Sequence, residues 1–357
     1  MFLPKGIETD SDIFTEIAEN IDRLITVDLP LRAVSLKLYQ NARSKSDAPL
    51  TFLAAKRLLS AIGPERIVLI ATGWPDRPHI NPEIAETDGP PGAASLGMSL
   101  HKAQNIVPVF LIENQLVEAM RSVATAAGFK ILSAEEALGA ARSRAPLHAA
   151  SVLGFPTDLS EAEKVADYLL ESLPVGAIIV IEKGGVNEKG IIHTSRGDDT
   201  TTHMAKVDVL VRKASKKGLL TIGVGDGGNE IGMGVIAEEL RSWLPYGTKC
   251  RCGCGAGIVP VTKTDLLVPA AVSNWGAYGV AAMVALMVGR QEVFHSSEIE
   301  RRILESCIRA GLIDGGSGYV NGGADALNVS IHMSLVDLLG ELVQKGIRLT
   351  KNQPHKF

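Results

Sequence analysis

Two hydrophobic periodicities divide this chain. Between residue 10 and about residue 62, apolar side chains recur three or four positions apart, as in Ile13, Ile17, Ile21 and Leu24, then Leu53, Leu58, Leu59 and Ile62. That spacing puts them on one face of a helix. A polar stretch, Ser-Lys-Ser-Asp-Ala-Pro at 44–49, separates two helical pieces. Residues 1–64 therefore read as a helical arm packed on a larger body.

From residue 66 the pattern becomes short apolar runs, each ending in glycine or polar residues and followed by a helical stretch. The runs at 66–71, 107–112, 130–132, 177–181, 219–224 and 265–269 predict strands. They are nearly continuous rather than alternating, as strands buried on both faces must be. Strands alternating with helices predict an α/β fold of three layers, a mostly parallel sheet with helices on both faces and the N-terminal helical arm beside it. On this reading 65–340 is the α/β catalytic domain, 341–357 a C-terminal tail, and 145–157 the place where a subdomain break would fall. The apolar helix at 277–288 reads as core, with a homo-oligomer contact left open.

Composition narrows the classes of function. Apolar residues make up 46% and charged residues 21% of 357 residues, enough for a packed core. The net charge of −4 and the lack of a basic stripe exclude a nucleic-acid partner, and no apolar run is long enough for a membrane span. Glycine is abundant at 36 residues and aromatics sparse at 4%, which suits tight strand-to-helix turns. The N-terminus has no apolar targeting core, and a disulfide framework cannot be built when Cys250, Cys252 and Cys254 crowd together. The expectation is a cytoplasmic protein with a small-molecule substrate.

In an open parallel sheet, ligands bind beyond the carboxyl ends of the strands. Most of the predicted strands lead into acidic residues: Glu86 and Asp88 in a loop after the first, Glu113-Asn114 after the second, Glu182-Lys183 with Asn187 close behind, and Asp226 with Glu230 after the run at 219–224. A further polar loop holds His193 and Arg196, and the last strand leads to Ser273-Asn274. Converging carboxylates repel unless protonated or bridged by a cation, and oxygen ligands favour Mg²⁺ or Mn²⁺. The competing reading is that these acids cap helix N-termini. Glu86, Asp88, Glu182 and Asp226 are the candidate metal ligands.

The segment Gly223-Val-Gly225-Asp-Gly227-Gly228 fits the dinucleotide pattern G-x-G-x-x-G. Asp226 would put a negative charge where a pyrophosphate lies, so no nucleotide cofactor is expected. The Cys-x-Cys-x-Cys run at 250–254 is tighter than the usual zinc spacing, and no His or Cys pair stands near it in sequence. Reduced cysteines in a glycine-rich turn are the expectation. His193 and His203 flank the polar loop as acid–base candidates.

Four blocks carry a resemblance: Glu86-Thr-Asp-Gly-Pro-Pro-Gly92, Glu182-Lys183, Gly225-Asp-Gly-Gly-Asn-Glu-Ile-Gly-Met-Gly234 and Ser273-Asn-Trp-Gly-Ala-Tyr278. In this order they resemble the signature blocks of the D-glutamate cyclase-like C-terminal domain family, over roughly residues 10–340, as a stand-alone member. The resemblance implies a hydro-lyase that forms 5-oxo-D-proline from D-glutamate or a related amino acid. Glu182, Lys183, Asp226, Glu230 and His193 are then the catalytic candidates. Thr72, Asn187, Arg196, Gly227, Gly228, Asn229 and Asn274 are the candidates for substrate contacts, with backbone N–H groups of the glycine loop facing the oxyanion. Two other readings stay open: a Mn²⁺- or Mg²⁺-dependent phosphatase, and a non-catalytic metabolite-binding protein.

Overall fold

The computed structural model describes residues 12–351. Seven strands form one sheet: β1 (Ile67–Thr72), β2 (Val107–Glu113), β3 (Lys130–Ile131), β4 (Ala149–Phe155), β5 (Val175–Ile181), β6 (Leu220–Gly225) and β7 (Leu266–Pro269). Their order is β3-β4-β2-β1-β5-β6-β7, and every pairing is parallel. The helices are α1 (Asp12–Ile25), α2 (Ser35–Arg43), α3 (Leu50–Ala61), α4 (Pro90–Gln104), α5 (Val117–Ala127) and α6 (Ala134–Arg142). They continue as α7 (Leu159–Ser172), α8 (Val207–Lys216), α9 (Ala237–Trp243), α10 (Ser273–Val288), α11 (Ser297–Arg309) and α12 (Val329–Lys351).

The central apolar runs become buried strands because β1, β2, β4 and β5 each contribute to two cores at once. Along β1, Val68 and Ile70 join a core with α1, α3, α4 and α10, while Ile67, Leu69 and Ala71 face the opposite core with α7 and α8. A fully buried aliphatic side chain is worth about 1.5–3 kcal/mol, so a strand that feeds both layers is strongly held. Helix α10 is buried along nearly its whole length, which makes the apolar segment at 277–288 core. Among the described residues no helix is long and apolar enough to cross a membrane.

Three expectations differ from the structure. Residues 149–155 form β4, which is not among the strands the apolar runs predict. Its sequence, Ala-Ala-Ser-Val-Leu-Gly-Phe, is rich in small residues with weak strand preference, and pairing with β2 and β3 overrides that weakness. The N-terminal region contains three helices, not two, because Pro30 and a turn with Leu31 and Ala33 at φ of 56° and 58° separate α1 from α2. The expected tail is helical through Lys351, while 352–357 lie outside the described residues.

The chain leaves β1 toward β2 on one side, and β5 returns to the other side of β1 before leading on to β6. The connections therefore reverse between β1 and β5. Helices diverging on either side of such a point open a crevice at the carboxyl ends of those strands.

Candidate active site

A cleft of about 550 Å³ opens at this crevice, and Glu86, Asp88, Glu182, Asp226 and Glu230 all line it. One carboxylate oxygen each from Asp88, Glu182 and Asp226 lies within 4.8 Å of the others, a grouping able to hold a metal ion. All three residues are buried. Glu86 faces the cleft from the loop after β1 but stands outside this trio.

Local structure explains how each acid arrives. Asp88 accepts backbone N–H bonds from Ser273 (2.9 Å) and Asn274 (2.8 Å), at the start of α10. The capping reading is thus half right, since Asp88 both caps a helix and faces the cleft. Next to it, Gly89 has φ of 104°, and a side chain there would meet Thr72 Oγ1 at 2.7 Å. Glu182 follows β5 with φ of 48°, a costly conformation for a side-chain-bearing residue, and takes a 2.5 Å bond from Ser273 Oγ. Strain of this kind persists where surrounding structure over-determines a functional position.

Electrostatics sets the chemistry. Burial first, and then repulsion from Asp226, push Asp88 and Glu182 well above the usual carboxylate range. Glu86 is raised in the same way, by burial and then by Asp88. Burial and Asp226 bring Glu230 to about 7. Arg32, which local sequence does not single out, answers this charge, and Asp325 adds to it. Arg32 places Nη2 2.8 Å from Asp226 Oδ2 and Nη1 3.3 Å from Asp325 Oδ1. The left-handed residues on either side, Leu31 and Ala33, form the turn that aims Arg32 inward, and Asp28 accepts the N–H groups of Arg32 and Ala33. Asp325 also sits in the left-handed region, on a loop gathered by Asp314, which accepts from Gly316, Ser317 and Ala326. Nothing in local periodicity marks a lone Arg between α1 and α2 as a site residue.

Several predicted residues are committed elsewhere. Glu230 Oε1 accepts from the backbone N–H groups of Asp226 (3.2 Å) and Gly227 (2.6 Å), and Oε2 accepts from Gly228 (2.8 Å). The glycine-loop donors expected to face an oxyanion are therefore taken up by the loop's own glutamate. Lys183 Nζ lies 2.7 Å from both oxygens of Glu113 and also donates to Gly73 O, with both side chains fully buried. Burial lowers its pKa, but its donors point into the core instead of the cleft. Glu113, at the end of β2, is thereby a partner for Lys183, and it also accepts from Ala205 N.

Asn274 joins α10 to the start of α4, accepting from Gly89 and Gly92 N–H and donating to Thr87 O. Asn187 organises its own turn, accepting from Lys189 and Ile191 N–H and donating to Gly257 O. Thr72 is buried beneath Gly89, its hydroxyl without a hydrogen-bond partner among the described residues. Asn229 and Gly227 do line the cleft, and Asn229 Nδ2 donates to His193 O at 2.8 Å. Arg196 is exposed and lines the cleft with the half-buried Arg77 and His203. The His193 ring turns away, placing Nε2 3.1 Å from Cys252 Sγ. No His or Cys pair stands near the cysteines in sequence, yet the fold brings His193 to them.

Comparison with known proteins supplies a family for the chain. The family model described as D-glutamate cyclase-like, C-terminal, matches residues 21–340. The human protein named D-glutamate cyclase, mitochondrial, is 29% identical over 224 residues, covering 62% of this chain and 33% of that protein. The chain thus aligns with about a third of the length of that relative. With the family match extending from α1 into α12 and taking in every acid of the cleft, the chain belongs to the D-glutamate cyclase-like, C-terminal family.

Proposed function

We propose that this chain is a divalent-metal-dependent hydro-lyase that closes D-glutamate, or a closely related amino acid, into 5-oxo-D-proline with loss of water. The observation that carries the reading is the buried trio Asp88, Glu182 and Asp226 at the reversal point of the sheet, in a chain of this family. The donor set fits a hard cation: it is all oxygen, and burial and mutual repulsion make its ionised form costly without positive charge. Mg²⁺ and Mn²⁺ suit such ligands better than softer metals. Held there, the ion would supply Lewis acidity toward the γ-carboxyl group, a poor electrophile by itself.

The remaining tasks fall to side chains around the cleft. Arg77 and Arg196 on the outer wall offer guanidinium forks for the α-carboxylate. The substrate ammonium must lose a proton before its nitrogen can attack, and the imidazole of His203, which also lines the cleft, is the candidate acceptor. Arg32 tempers the charge of Asp226 and Asp325. Ring closure joins two groups of one molecule, so holding the folded-back conformer supplies part of the roughly 7–11 kcal/mol available from proximity.

The test is to strip the protein with chelator, restore Mn²⁺ or Mg²⁺, and follow 5-oxoproline from D-glutamate with L-glutamate as control. Phosphate release from a panel of esters is followed in parallel. Metal-dependent oxoproline, lost in Glu182→Gln and Asp226→Asn, is the expected result. Phosphate release without oxoproline would discard the cyclase reading and keep the metal cleft.

A further inference from the structure

Outside the carboxylate cleft, a second set of donors converges. The thiols of Cys250, Cys252 and Cys254 and the imidazole of His193 present ligand atoms within 4.8 Å of one another. Cys250 Sγ lies 3.3 Å from both Cys252 Sγ and Cys254 Sγ, and His193 Nε2 lies 3.1 Å from Cys252 Sγ and 3.8 Å from Cys254 Sγ. A tetrahedral zinc with Zn–S of about 2.3 Å and Zn–N of about 2.0–2.1 Å separates neighbouring donors by roughly 3.5–3.8 Å. Four of the six donor–donor separations are thus within about half an ångström of the edges of that tetrahedron, and the other two are at most 4.8 Å.

We propose that Cys250, Cys252, Cys254 and His193 form a structural Cys₃His zinc site. Three features make it a built arrangement rather than a chance gathering. The two glycines Gly253 and Gly255 beside the thiols have φ of 79° and 77°, which folds alternate cysteines to one side of a tight turn. Asn187 Nδ2 approaches Cys254 Sγ at 3.5 Å, the kind of N–H donor that steadies a metal-bound thiolate. His193 is fully buried, and its carbonyl is held by Asn229. Soft thiolates with one imidazole select zinc over the hard cations suited to the carboxylate trio. Complete coordination by protein side chains leaves no open position, which makes the site structural.

The site also has a mechanical consequence. His193 begins the loop whose residues Thr194, Ser195, Arg196, Asp198 and Asp199 wall the cleft. The cysteines lie on another loop, which touches the first through Arg251 N–H to Gly197 O at 2.9 Å. A metal joining His193 to the three cysteines clamps these two loops and fixes that wall of the cleft.

The full chain, purified without chelator, should carry about one zinc measured by plasma mass spectrometry. Exchange with Co²⁺ should produce a thiolate charge-transfer band and strong visible ligand-field bands of a tetrahedral site. Cys252→Ser changes the most exposed ligand, so it threatens folding least. It should abolish the charge-transfer band and weaken zinc binding at least ~10-fold. Asp226→Asn should leave the cobalt spectrum intact, which separates this site from the carboxylate one whether or not the enzyme turns over D-glutamate. Wild-type protein with no thiolate–cobalt band, or an intact mass two hydrogens short with the thiols joined as a disulfide, would overturn the proposal. So would unchanged zinc affinity in Cys252→Ser.

Discussion

Arg32 Nη2 stands 2.8 Å from Asp226 Oδ2, joining the turn between α1 and α2 to the loop after β6 inside one cluster of acids. The pair is asymmetric in exposure: the side chain of Arg32 is 31% accessible and that of Asp226 only 4%. Solvent at the arginine therefore screens part of the attraction, whereas an unpaired Asp226 would keep its full desolvation cost. Replacing Arg32 with Gln should lower the stability of metal-free protein at neutral pH by about 1–2 kcal/mol. Saturating Mn²⁺ should recover most of that loss, because it supplies the missing positive charge. Thermal melting with and without metal reads both effects, and equal losses in the two conditions would argue against the pairing as the cause.

The raised carboxylates give the metal-free protein a defined pH response. In the folded state Asp88, Glu182 and Glu230 hold protons at a higher pH than in the unfolded chain, Glu230 to about 7 against an ordinary 4.5. Where the folded state binds more protons, stability falls as pH rises. The contribution is present below the unfolded values and lost as pH climbs toward and through 7. Chelated protein should therefore melt at a lower temperature at pH 8 than at pH 5.5. Metal should flatten that slope, and its affinity should increase with pH over the same window because binding displaces protons. A melting temperature that rises steadily with pH in chelator would contradict this assignment.

Glu230 holds the glycine loop by accepting three backbone N–H groups. A glutamine there can accept through only one oxygen and turns its amide N–H₂ toward the same donors. Glu230→Gln should cost roughly 1.5–3 kcal/mol in urea unfolding, in line with losing charge-assisted bonds. Turnover should fall at least ~10-fold, since the same loop carries Asp226. Full stability in this variant would mean that the loop is held by its strand connections alone.

Lys183 and Glu113 form a fully buried pair. Lys183→Met alone leaves a carboxylate without its cation and should destabilise by about 3–5 kcal/mol. The double variant Lys183→Met with Glu113→Leu should recover a large part of that, because neither charge remains to be desolvated. A structural role predicts that turnover returns together with stability in the double variant. A proton-transfer role for Lys183 predicts a well-folded protein that stays inactive, and the double-mutant cycle separates the two.

The division of information between sequence and tertiary structure follows from the range of the interactions. The apolar runs of the central strands sit on both faces of the sheet at once, so a run's composition alone announces a buried parallel strand. Such strands also determine where their carboxyl ends lie, which is why Glu86, Asp88, Glu182 and Asp226 are legible as one edge of the molecule. The strand β4 is not legible in this way, because Ala149, Ala150, Ser151 and Gly154 carry little strand preference, and only pairing with its neighbours makes them extended. Side-chain direction lies beyond local reading altogether. Lys183 follows Glu182 directly, yet Glu182 lines the cleft and Lys183 is buried against Glu113. His193 reads as an acid–base candidate in a polar loop, and the fold turns its ring onto three cysteines far along the chain. Arg32 and Asp325, near opposite ends of the described chain, meet at Asp226 only after the helices have packed. Burial pattern is written into neighbouring residues by the periodicity of helix and strand, whereas a charge's partner is chosen by whichever group the packed layers bring within a few ångströms.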